Sequence, residues 1–148
     1  MSLAEFLSKD LLKSHSTGKA EITQLLAVVR REIKDVSVTG LSTDRRFACS
    51  YNAALQLSHI VIASTGYRTN PSKSGHHKLT FEAAELILGA EVQLMLDHFE
   101  IARRKRNMID YNVSGSISES ESEDLQKAVL DFQTHVLKWL SANHPDLI

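Results

Sequence analysis

The sequence predicts an all-α fold, an up-down helical bundle of four main helices plus short extra helices. Two observations carry this. Glycine (6) and proline (2) are scarce, which favours helices over a turn-rich β architecture. Apolar residues recur at three-and-four spacing along most of the chain, the period of a helix with one buried face. At 148 residues the chain is about the modal size of one domain and long enough to bury a core of its own.

Each element follows from its pattern. Leu3, Phe6, Leu7 and Leu11 give a short amphipathic helix within residues 1–16, a lid on the bundle or a dimer contact. After the polar break at 14–18, Ile22, Leu25, Leu26, Val29, Ile33 and Val36 mark a helix over about 19–37 whose Arg30, Arg31 and Lys34 face water. Ser42 caps a third helix, with Asp44 in its first turn, where negative charge suits the helix dipole. That helix reaches about Ser64 and stops at Gly66, placed for a left-handed cap. Phe47, Ala48, Tyr51, Ala54, Leu55, Ile60, Val61 and Ile62 make it apolar on most sides, so it is central. Cys49 within it reads as a small hydrophobe, not a nucleophile.

Residues 66–79 read as a long basic loop bearing Tyr67, Arg68, Lys73, His76, His77 and Lys78. Such a segment suits a phosphate backbone or a base. The His76-His77 pair has no nearby carboxylate or Cys, so no metal is expected there. Thr80 begins a short helix ended by Gly89, and a second long helix runs from Ala90 through Val92, Met95, Leu96, Phe99 and Ala102 to Tyr111. Residues 112–119 read as a flexible turn. Ser120-x-x-Glu123 reads as a capping box opening a last helix over about 120–142, with Leu125, Ala128, Val129, Phe132, Val136, Trp139 and Leu140 as its stripe.

Composition excludes several classes. With 43% hydrophobic and 24% charged residues and a net charge of -1, nothing global draws the chain to nucleic acid or an anionic membrane. The single Cys49 excludes an internal disulfide or a cysteine zinc site and fits a reducing, cytoplasmic setting. No apolar run reaches the roughly 20 residues that span a membrane, and no signal peptide is expected. No phosphate-binding glycine loop, nucleophile elbow or DNA-binding helix-turn-helix is found, and no cofactor is implied.

Chemistry concentrates in Arg103-Arg104-Lys105-Arg106-Asn107-Met108-Ile109-Asp110-Tyr111. At about 100° per residue, Arg103, Arg106 and Asp110 extend the buried face of this helix, with Asn107 at its edge. Charges thus replace hydrophobes where the stripe points inward. Two interpretations stay open. Arg106 and Asp110, four residues apart, form a structural ion pair, or the notch receives an anion such as a nucleotide or RNA phosphate, for which Arg supplies a planar fork of donors. Tyr51 and Asn52 reach this notch if the third helix and the 90–111 helix pack as a central antiparallel pair.

Arg106-Asn107-x-x-Asp110-Tyr111 resembles the motif of HEPN (higher eukaryotes and prokaryotes nucleotide-binding) domains, and Tyr51 to Gln56, Gly66-Tyr67-Arg68 and Gly75-His76-His77 resemble the preceding helix and loop of such proteins. The resemblance implies a helical bundle, a homodimer with motif helices bordering a shared cleft, and RNA or a nucleotide as ligand. It further implies toxin-type, metal-independent RNA cleavage and a minimal nucleotidyltransferase antitoxin as partner. It assigns Arg106, Asp110 and Tyr111 to catalysis, or Tyr111 to an acceptor role in nucleotidylation. Ligand binding falls to Arg103, Asn107, Tyr51, Asn52, Arg68, His76 and His77. The chain departs from the family pattern at the motif histidine: Tyr111 stands where it begins to be expected, and residues 112–134 contain no His. His76 or His77 is then a substitute acid/base. A catalytically inactive dimeric module, with Arg106-Asp110 structural, is the alternative.

Overall fold

The apolar periodicities become six α-helices among the described residues, joined by one two-stranded antiparallel sheet. The computed structural model describes residues 1–111 and 115–148, with the backbone alone at 108–111. The expected all-α bundle is what forms.

The N-terminal segment differs from its reading. Helix α1 spans only Leu3–Ser8, capped by the Ser2 hydroxyl, which accepts from the Glu5 N–H. Asp10 then takes a positive φ of 58°, and the chain leaves the helix as strand β1, Leu12–Ser14. Its partner is β2, Tyr67–Thr69, with Leu12 opposite Thr69 and Ser14 opposite Tyr67. Three-residue strands are too short for a period-two pattern to be read. What holds them is tertiary: Leu12 is buried, and the buried Asn70 side chain donates to the Asp10 carbonyl and carboxylate at 2.9 and 3.2 Å.

Helices α2, Lys19–Val36, and α3, Thr43–Ser64, lie where the pattern puts them. Ser42 caps α3 by accepting from the Arg45 N–H at 3.2 Å, and Gly66 follows its last turn with φ of 97°. With thirteen buried residues, α3 is the central element. It packs most widely against α2 and α6, and also against α4 and α5, so the expected pairing with the 90–111 helix is only part of its environment.

The expected loop over 66–79 is a second correction. β2 occupies its start, and α4, His76–Leu88, begins four residues before Thr80. Gly75 takes φ of 72° and leads into α4, and Thr80, fully buried, bonds the Thr69 hydroxyl at 2.9 Å. Gly89 breaks the chain as expected, a 3-10 turn covers Ala90–Val92, and α5 runs over Gln93–Tyr111.

Helix α6, Glu119–Asn143, is capped two residues earlier than its sequence suggests, by Ser118 and Glu121 acting reciprocally. Both Ser-x-x-Glu pairs fit the pattern. Ile117, just before the cap, and Ser122, in the first turns of the helix, are both buried. Glu119 then accepts from Arg46 and Thr43 at 2.9 and 2.8 Å, tying the start of α6 to the start of α3. Of the turn expected over 112–119, residues 112–114 lie outside the described residues. Phe99 centres the core, its ring 5.9 Å from Phe81 and 5.2 Å from Phe132.

Candidate anion site at the start of helix α4

Tyr51 does reach the α5 stretch singled out by sequence. It is fully buried on α3, and the Arg106 guanidinium carbon stands 5.1 Å from its ring centroid. The geometry is that of a cation over an aromatic face. The Phe81 ring meets Tyr51 edge-on at 5.8 Å. The Tyr51 hydroxyl lies 3.1 Å from His77 Nδ1. Burial pushes the phenol up to about 12, against the opposing pull of Arg106 and Arg103, so it stays protonated at neutral pH.

His77 and His76 sit in the first turn of α4, with rings 4.6 Å apart and nearly perpendicular. Burial lowers the His77 pKa, and His76, Arg106 and Arg103 press in the same direction. These effects all favour the neutral imidazole at His77. Gly75, His76 and His77 from α4, with Arg103 and Asn107 from α5, line an open cavity of about 350 Å³. Gly75 makes no side-chain cap, so the first N–H groups of α4 have no capping side chain beside them.

The cations of α5 are more engaged than the sequence suggests. Arg103 makes a forked pair with Glu100, Nε at 2.9 Å and one terminal nitrogen at 2.8 Å, which raises its pKa. Arg104 approaches the same carboxylate at 3.8 Å but is exposed, and Lys105 pairs with Glu121. Glu100 also borders a groove of about 280 Å³ between α4 and α5 that holds Glu82, Glu85 and Asp97. Burial and the neighbouring carboxylates raise the Glu85 pKa. The site is thus bordered by negative charge on that side.

Of the predicted site residues, Tyr51, His76, His77, Arg103, Arg106 and Asn107 come together. Arg68 does not. It is exposed on β2 and lines a separate cavity with His15, Glu21, His59 and Tyr67. Asn52 is half-buried beside Tyr51 and does not line the α4 cavity. The side chains of Asp110 and Tyr111, and with them the Arg106-Asp110 pair, lie outside the described residues.

Two residues escaped the sequence reading. Glu100 had a signal in its spacing of three and four from Arg103 and Arg104. His59 lies eight positions after Tyr51, a little over two turns on and about 80° round the helix, and burial lowers its pKa to about 4, with His77 and His76 adding to the shift. Among the described residues, no three His, Cys, Asp or Glu side chains converge to hold a metal ion, and no helix is long and apolar enough to cross a membrane. In comparisons with protein-family models, curated proteins and solved structures, nothing matches the chain.

Proposed function

We propose that this chain is a HEPN-like protein that binds RNA or a nucleotide through its phosphate in the cavity at the start of α4. The observation that carries the proposal is the convergence of Arg103, Asn107, His76 and His77 on one open cavity at a helix N-terminus. Polar N–H donors from four side chains meet there with the first turn of α4, which has no side-chain cap at Gly75, a set that suits an oxyanion. The volume falls in the range of small-ligand sites, about 300–1,000 Å³. In the catalytic form of this proposal the protein is a dimeric, toxin-type endoribonuclease. A base takes the ribose 2′ proton, the 2′ oxygen bonds to phosphorus as the bond to the 5′ oxygen breaks and that oxygen leaves with a proton, Arg106 stabilises the negative charge on the phosphorane oxygens, no metal takes part, and a minimal nucleotidyltransferase is the antitoxin.

A second reading has its own support. Arg106 lies over a buried ring and Arg103 is forked onto Glu100, arrangements that also serve a catalytically inactive dimeric interaction module. A ribonuclease assay in EDTA, run beside size-exclusion chromatography, separates the two. The catalytic form predicts cleavage that survives EDTA and falls at least about 100-fold in Arg106→Ala with the oligomer intact. No cleavage by wild type, together with dissociation of the oligomer in Arg106→Ala, contradicts it and supports the interaction module.

A further inference from the structure

We infer that Tyr51 is a positioning residue that holds His77 as the neutral tautomer with its proton on Nε2, so the cavity offers a phosphate oxygen a neutral imidazole N–H. The inference rests on the proposed phosphate site and goes beyond it by assigning the proton and the ligand group.

Tyr51 is 0% exposed, and among the described residues its hydroxyl has one hydrogen-bond partner, His77 Nδ1 at 3.1 Å. A buried O–H that donates to nothing costs about 1–3 kcal/mol. If Nδ1 carried the proton, Nδ1–H would donate to the phenol oxygen and leave the phenol hydrogen without an acceptor among the described residues. If Nδ1 is bare, Tyr51 donates to it and both groups are satisfied. The neutral ring then has its single proton on Nε2.

The surroundings keep it so. A second proton on His77 would have to go to Nδ1, the atom that accepts from Tyr51. Among the described residues, the groups that touch or act electrostatically with His77 are Tyr51 and His59 on α3, His76 on its own helix, and Arg103 and Arg106 on α5. None is an acid that would welcome the added charge. Binding therefore draws on a constant N–H across neutral pH.

The assignment narrows the chemistry. With Nδ1 accepting from Tyr51 and Nε2 protonated, His77 has no open lone pair to take a proton from a ribose hydroxyl. It serves as a donor to the phosphate. Any base for cleavage then comes from elsewhere, and the cavity's constant property is phosphate recognition.

The test uses the full-length chain and uridylyl-uridine, a dinucleotide with one phosphodiester whose charge is fixed across neutral pH. Long-range nitrogen–proton NMR on wild type is expected to show His77 protonated at Nε2 and bare at Nδ1. Tyr51→Phe, which keeps the ring that packs on Phe81, is expected to give a mixture of tautomers and to weaken uridylyl-uridine about 3- to 10-fold. His77→Gln, whose amide N–H replaces Nε2–H, should hold affinity within about threefold of wild type, and His77→Asn, which mimics only Nδ1, should lose about tenfold. A dominant Nδ1–H form in wild type, or an unchanged ring pattern in Tyr51→Phe, overturns the assignment. The stated tautomer with no uridylyl-uridine shift in any variant overturns the phosphate site, and with it the role given to the N–H.

Discussion

At the scale of single residues, titration follows from where a group is buried. His59 loses solvation for its charged form in the folded chain, so its pKa falls from 6.5 to about 4. Between those values the unfolded chain binds a proton that the folded chain refuses, so stability falls as pH falls through that window. His77, lowered for the same reason, acts in the same direction. The expected loss from His59 is on the order of 3 kcal/mol by about pH 4. Urea melts at neutral and mildly acidic pH check it: His59→Gln should flatten the acid side of the curve, and an unchanged slope would show that His59 is not the group responsible. The sequence made part of this legible. Helical spacing put Tyr51 within reach of the α5 stretch if the two helices packed antiparallel, and read Cys49 as a small hydrophobe; burial and the nearby Glu32 raise the Cys49 pKa. His59 was not legible, because one histidine on a mostly apolar helix does not disclose which neighbours desolvate it.

At the scale of elements, boundaries depend on which of several equivalent local signals the tertiary structure selects. Two Ser-x-x-Glu pairs precede the apolar stripe of α6, and burial of Ile117 selects the one at Ser118. Ser118→Ala should cost about 1 kcal/mol in thermal or urea unfolding, while Ser120→Ala should stay within about 0.5 kcal/mol of wild type. Equal costs would place the cap wrongly. The same logic explains the loop that became strand and helix. Local composition over 66–79 is polar and basic, which reads as solvated, yet Thr69, Asn70 and Thr80 are buried by partners distant in sequence. Strong apolar periodicity in α2, α3 and α6 leaves no such choice, and those helices were read to within a residue or two.

At the scale of the whole molecule, the bundle was legible because most of the core-forming residues lie on helical stripes around α3. The electrostatics were less so. A run of four cations in α5 suggests a basic surface, but among the described residues Arg103 and Arg104 meet Glu100 and Lys105 pairs with Glu121, and a groove holding Glu82, Glu85 and Asp97 lies alongside. On the proposed function, an anion binds in the α4 cavity and not on a broad basic face, which limits the number of phosphates engaged at once. Salt dependence should be correspondingly shallow, because its slope counts the phosphates neutralised. The most direct test of the central claim is a fluorescence-anisotropy titration of labelled single-stranded RNA at several salt concentrations, for wild type and His77→Ala. The account predicts binding at low salt, a slope of about one or two phosphates, and at least about tenfold weaker binding in His77→Ala. No binding by wild type at low salt, or equal binding by His77→Ala, would contradict it.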